Sequence, residues 1–244
     1  MQLIFIDETG DDKFGKYFGL SLATINYTKY AKVKEDFQKI LKKGKWDPKV
    51  EFKGSFLFSA TKGDPSISIE KRIELAEQIL ELTASSANSR MKFHYVRHSA
   101  PAAEHGKEYL RILPNLLAKL PKAPSGAGKN LAYFCCDYRS DINLSELNDI
   151  VVPAIKERGY TLLEQVSMLH SGCETIGILY ADIIGYLAAR IDNISNDSEL
   201  FEGLKQEELQ ENGKIKKLRS SQSLIGKVKY IQQYEVKVLK EKTI

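Results

Sequence analysis

Gln2-Leu3-Ile4-Phe5-Ile6-Asp7-Glu8-Thr9-Gly10 is the stretch whose reading decides the fold. Bulky apolar side chains occupy both alternating faces of Gln2 to Ile6, as a strand covered on its two sides requires. At Asp7-Glu8-Thr9-Gly10-Asp11-Asp12 the pattern becomes an acidic, turn-like cluster that should end the strand. Tyr17 to Ile25 (YFGLSLATI) then reads as a second strand that pairs back on the first. Far downstream, Leu131 to Cys136 (LAYFCC) is unbroken apolar and ends at Asp137, the pattern of a parallel strand buried on both faces.

Working outward, Lys29 to Leu41 is an amphipathic basic helix broken at Trp46-Asp47-Pro48, and Val50-Glu51-Phe52-Lys53 alternates like a short strand edge. After a loop near residues 54–68, helical spacing runs from Ile69 to Ala84. Met91 to Val96 reads as a strand and Glu108 to Leu120 as a helix stopped by Pro121. Pro124 to Gly128 is a surface loop, Asn143 to Arg158 a helix, Thr161 to Val166 a strand, and Cys173 to Ile191 a long apolar helix. Strands followed by helices recur, so the class is α/β. Residues 1–195 form one domain and residues 196–244 a charged extension rather than an independent unit.

The composition is that of a globular chain. Of 244 residues, 43% are hydrophobic and 28% charged, which excludes global disorder and coiled coil. The net charge of +4 is too weak by itself to argue for nucleic acid, but its placement is uneven. Residues 202–244 hold ten Lys/Arg and six Glu, so the basic excess sits wholly in that tail. Three cysteines, two of them adjacent, make no disulfide framework and suit a reducing cytosol. Asp7 and the absence of a basic leader argue against a signal peptide. The longest apolar run, Thr175 to Ala189, is shorter than the ~20 residues a bilayer span takes and contains Asp182. A soluble, cytoplasmic protein with no membrane partner is expected.

Chemistry is signalled by acids at the ends of apolar elements. If the strands ending at Asp7 and Asp137 are parallel neighbours, both carboxylates emerge at the carboxyl edge of the sheet, where open α/β folds bind ligands. Asp182 is the only charge between Glu174 and Arg190, and a carboxylate buried there must pair, protonate or bind a cation. Like charges at about 4 Å and an effective dielectric near 20 repel by roughly 4 kcal/mol per pair. A divalent cation reverses that sign, and oxygen-only ligands select Mg²⁺ or Mn²⁺ over zinc. Two such ions can activate a water and stabilise the leaving oxygen of a phosphodiester.

Plainer roles compete with these. Asp7 suits a tight turn, Asp137 a cap or a pair with Arg139, Glu51 and Lys53 an exposed strand face, and Glu174 a first-turn helix acid. The four histidines lack ligand spacing, and the adjacent Cys135 and Cys136 read as core. No GxGxxG, Walker A or GxSxG motif is present, which weighs against dehydrogenase, kinase and hydrolase readings. Gly177, Ala181 and Gly185 recur every four residues, so a close neighbour can approach the long helix beside Asp182.

Four of these pieces together resemble the domain of unknown function 3800 family. Asp7-Glu8-Thr9-Gly10 is similar to its opening Asp-Glu-Ser-Gly, with Thr for Ser. Glu51-Phe52-Lys53 resembles its Glu-x-Lys element, Leu131 to Asp137 its later strand, and Ser171 with Leu179 to Gly185 its closing helix, without the family's usual Gln. The match spans residues 1 to about 192 in family order. The resemblance implies a ribonuclease H-like mixed sheet flanked by helices, with an acidic metal site. By this resemblance Asp7, Glu51, Asp137 and Asp182 would be ligands for Mg²⁺ or Mn²⁺, with Glu8 and Lys53 supporting. Apart from the resemblance, Lys53 is expected to be catalytic by neutralising developing phosphate charge, and Glu174 to support the site.

The expectation is a metal-dependent nuclease cutting RNA or DNA. The lysines of residues 29–45 and a helical basic tail would grip the backbone, or the tail would dock a protein partner or a second copy. The alternatives are a non-catalytic nucleic-acid-binding module and an interaction component of a defence or toxin-like system. Phosphatase-type hydrolysis shares the same metal chemistry.

Overall fold

Alternation along the first strand sorts the molecule into layers. The computed structural model describes residues 1–10, 17–57, 62–84, 91–99, 104–126, 128–172, 174–196 and 237–240. Its strands are β1 (Gln2–Gly10), β2 (Tyr17–Asn26), β3 (Met91–Ser99), β4 (Leu131–Asp137), β5 (Thr161–Leu162), β6 (Ser167–Leu169) and β7 (Lys237–Lys240). Its helices are α1 (Tyr27–Lys43), α2 (Ile69–Ala84), α3 (His105–Leu117), α4 (Leu144–Glu157) and α5 (Ile176–Asn196). A 3₁₀ turn covers Gly54–Phe56.

The sheet runs in the order β5-β4-β1-β2-β3-β7. β2 is antiparallel to both β1 and β3, whereas β4 is parallel to β1 and β5 is parallel to β4. β6 prolongs the β5 edge by pairing with the end of β4. This is the expected α/β arrangement, a mixed sheet flanked by helices in which the early hairpin strands pair antiparallel and later strands return parallel through helices.

Leu3 and Phe5 face a core built with α1, α2 and α5, while Ile4 and Ile6 face a second core built with α3 and α4. Both faces of β1 are therefore buried, which explains why it carries bulky residues at every position. The small-residue stripe of α5 meets this sheet. A Cβ on Gly177 would collide with the Phe5 ring, and one on Gly185 would lie 2.7 Å from the Ser21 hydroxyl. Ser21 Oγ donates to the carbonyl of Ala181 at 2.7 Å and lies 3.1 Å from the carbonyl of Asp7, so it ties the helix to both β1 and β2.

Several boundaries differ from expectation. β1 does not stop at Asp7: it stays paired with β2 as far as Gly10↔Phe18, so ladder hydrogen bonds override the turn preference of Asp, Thr and Gly. Its pairing with β4, however, ends at Ile6↔Cys136. Asp11 and Asp12 lie outside the described residues. Val50-Glu51-Phe52-Lys53 is not a strand edge but an irregular segment leading into the 3₁₀ turn, with Phe52 buried against Trp46 at a ring separation of 4.8 Å. Of the strand expected over residues 161–166 only Thr161–Leu162 forms, as β5; residues 163–166 bend away and β6 begins after them at Ser167. In the tail, expected to be helical, Lys237–Lys240 forms β7, parallel to β3. The other residues of 197–244 lie outside the described residues, as do any contacts of their lysines. Among the described residues no helix is long and apolar enough to cross a membrane.

Candidate functional site

The end of the β1–β4 ladder is where carboxylates from distant parts of the chain meet. Asp7 follows the last β1–β4 register pair and Asp137 follows its partner, so the two stand side by side at the carboxyl edge of the parallel strands. Both have the parity of Leu3, Phe5 and Cys135, which places them on the α5 face. From above, α5 contributes Asp182, one residue beyond the Ala181 carbonyl that Ser21 grips. The segment of Glu51 and Lys53 lies against the same helix, because Gly54 is pressed on it. A Cβ at residue 54 would come within 2.6 Å of Tyr186 Cβ, and the Gly54 N–H donates to Asp182 Oδ2.

Each acid is held differently. Asp7 is only 6% exposed, and its Oδ1 accepts from the Glu8 N–H at 2.9 Å. Asp137 accepts at Oδ1 from the N–H groups of Tyr138 and Ser171, both at 3.0 Å, while Ser171 Oγ lies 3.3 Å from its Oδ2. Glu51 pairs through Oε2 with Lys53 Nζ at 3.1 Å, whereas its buried Oε1 has no hydrogen-bond partner.

Electrostatics records the crowding. Burial, followed by the charges of Asp182, Glu8 and Asp137, drives the Asp7 carboxyl well above the usual carboxylate range. Burial also raises Asp182, to about 6, with Glu51 and Asp137 adding to the rise while the Gly54 N–H and Lys53 oppose it. At Lys53 desolvation works against the ammonium, but Glu51, Asp182 and Asp137 outweigh it and hold the pKa above its ordinary value. These interactions bring together Asp7, Glu51, Lys53, Asp137 and Asp182. The donors are all hard oxygens carrying surplus negative charge, and a buried carboxylate oxygen lacks a partner; that set fits a hard divalent cation. The side chains stand apart all the same. Among the described residues no three acidic, His or Cys side chains are drawn into a closed ligand cluster.

Two supporting residues sit elsewhere. The Glu8 side chain turns to the α3–α4 face, where Arg139 meets it at 2.9 Å; only its backbone N–H serves Asp7. Glu174 is absent from the cluster. It precedes α5, its side chain is 75% exposed, and it bonds Lys34 at 2.8 Å and Gln38 at 2.9 Å on α1. Of the basic residues on and just after α1, Lys32, Lys34 and Lys39 are engaged in ion pairs with acids.

The sequence alone did not single out Gly54 or Ser21, whose roles arise only from close approach of α5. It also offered Arg139 as a partner for Asp137. Arg139 instead bridges Glu8 and Asp141, its guanidinium 5.9 Å from the Phe18 ring centroid and 5.7 Å from that of Tyr109. Strand alternation at residues 7 and 8 is the signal that would have separated the two acids.

No family model matches the chain, and no curated protein is recognisably similar in sequence. Among solved structures it is similar to the ribonuclease H2 from Pyrococcus horikoshii OT3, with 12% identity over 93% of this chain and 97% of that one, at a TM-score of 0.44. It is also similar to a chain of the PCNA:RNase HII complex from Archaeoglobus fulgidus, with 14% identity over 100% of this chain and 98% of that one, at a TM-score of 0.41.

Proposed function

We propose that this protein is a divalent-metal-dependent nuclease that hydrolyses phosphodiester bonds of RNA or DNA, in keeping with its resemblance to the domain of unknown function 3800 family. One observation carries the reading. Asp7, Asp137 and Asp182 come from two strands and a helix to one edge of the sheet, where Asp182 and Asp137 make Asp7 harder to ionise and Asp137 does the same to Asp182. Chains do not gather buried like charges without something to offset them.

Asp7, Asp137 and Asp182 would hold Mg²⁺ or Mn²⁺, with Glu51 completing the set or orienting a water. When bound, the ion supplies a water of lowered pKa and positive charge against the phosphate. The chain's own groups do the rest. Ser171 fixes the orientation of Asp137, and the Gly54 N–H fixes that of Asp182. Glu51 Oε1, buried and unpartnered, is free to accept a water proton. Lys53, kept cationic by its acidic neighbours, opposes charge that develops on the phosphate.

The test is cleavage of single- and double-stranded RNA and DNA with Mg²⁺ or Mn²⁺, comparing the native chain with Asp182→Asn. Cleavage that requires the metal and is abolished in the variant, with folding intact, supports the proposal. Equal cleavage by both removes Asp182 from the mechanism. The open spacing of the carboxylates favours one second reading, a nucleic-acid-binding module that never assembles a competent metal site. That reading requires salt-dependent binding and no cleavage with any divalent ion.

A further inference from the structure

Exposed aromatic rings sit where the carboxylate cluster ends. Tyr138, directly after Asp137, is 49% exposed, and its ring lies against that of exposed His170, with centroids 4.4 Å apart and planes at 40°. This pair is not a floppy surface contact. The Tyr138 N–H is shared between Asp137 Oδ1 at 3.0 Å and the Leu169 carbonyl at 2.9 Å. Ser171, directly after His170, grips Asp137 through both its N–H and its hydroxyl. On the other side, Arg139 is anchored by Glu8 and Asp141. The backbone beneath both rings is therefore fixed to one of the proposed metal-holding carboxylates.

Tyr138 directly follows Asp137 in the chain, so its half-exposed ring offers an aromatic face next to one of the proposed metal-holding residues. We propose that Tyr138, backed by His170, is a stacking platform for an unpaired nucleobase adjoining the phosphodiester that the carboxylate site acts on. The proposal rests on the nuclease reading and narrows its substrate class to single-stranded or locally unpaired nucleic acid. Bases of every kind have a stackable face, and aromatic side chains recognise them once they are unpaired. A base in an intact duplex has both faces covered and does not present one to Tyr138.

The experiment measures binding, so that it stands apart from cleavage. Fluorescein-labelled oligouridylate and oligothymidylate of about 12 nucleotides, within the usual single-strand site size, are titrated at fixed ionic strength in the presence of Mg²⁺. The proteins are full-length Asp182→Asn and the same chain carrying Tyr138→Ala or Tyr138→Phe. Tyr138→Ala should weaken binding about 5- to 150-fold, the range expected for loss of one stacked base, while Tyr138→Phe keeps the affinity. A scan of single abasic positions should find one that weakens binding to the parent but not to Tyr138→Ala, a coupling that a merely structural role would not produce. Equal affinity of the parent and Tyr138→Ala, or no binding of single strands by the parent, overturns the platform. Tyr138-dependent binding by a chain whose native form cleaves nothing would leave the platform standing and sink the nuclease reading alone.

Discussion

Neutralising the half-buried Asp182 should stabilise the metal-free protein, in contrast to most substitutions in so enclosed a place. The Asp182 carboxyl is displaced from 3.8 to about 6 in the folded state, first by burial and then by Glu51 and Asp137. A folded pKa raised above the unfolded value means that the folded state binds the proton more tightly, so stability falls as pH rises between the two values. Below pH 3.8 the group is protonated in both states and contributes no slope. Above about 6 the penalty is complete, and two pKa units correspond to about 3 kcal/mol. Asn keeps an oxygen to accept the Gly54 N–H, so the substitution removes the charge and spares the hydrogen bond. Urea and thermal unfolding of both forms would be followed from pH 4 to pH 8 with EDTA present. The difference should grow with pH to about 3 kcal/mol in favour of Asp182→Asn, or roughly 6–12 °C in midpoint for a chain of this size. Adding Mn²⁺ should stabilise the native chain and not the variant, narrowing or reversing the gap. An Asp182→Asn protein less stable than the native chain at pH 7 in EDTA would refute the claim that this carboxylate is repelled where it stands.

Other outcomes follow from the packing. Gly177→Ala should cost about 1–3 kcal/mol, because the added methyl meets the Phe5 ring in a filled core; an unchanged urea midpoint would show that α5 can lift off the sheet freely. Arg139→Met should destabilise by roughly 1–3 kcal/mol by leaving Glu8 without its partner, and adding Glu8→Gln should recover part of the loss. If the double variant is no better than the single, Arg139 acts through its ring contacts instead. Burial pushes the Cys135 and Cys136 thiols up to about 12, so neither should react with iodoacetamide until the chain unfolds. Peptide mapping after alkylation at neutral pH reads this directly, and rapid native labelling at either would contradict their place in the core.

The central strands were legible in the sequence because burial on both faces leaves an unmistakable composition. Gln2 to Ile6 and Leu131 to Cys136 have no polar face, and only neighbours in the middle of a sheet tolerate that. Helices with one apolar stripe were equally plain: residues 69–84 form α2 with the expected bounds. Less legible were the segments whose conformation is imposed by contacts. Glu51 to Lys53 alternates like a strand, yet no strand partner takes it up. Trp46 and α5 hold it instead, and side-chain alternation cannot report which neighbour will be present.

The candidate site divides along the same line. Unusual placement in the sequence marked Asp7, Asp137 and Asp182 as acids in or beside apolar runs, since an unpaired charge near a core is costly wherever it ends up. Alternation along β1 says that Glu8 and Asp7 point opposite ways, but which of them meets the other carboxylates depends on which core lies on each side of the sheet. Nor could the sequence remove Glu174, whose partners Lys34 and Gln38 lie about 140 residues away on α1 and meet it only after α1 and α5 share one face of the sheet. The chain by itself thus determined which residues carry the charge and which strands are central. The tertiary structure decided which charges face one another, because that depends on the parallel register of β1 with β4 and on the glycines that let α5 descend onto them.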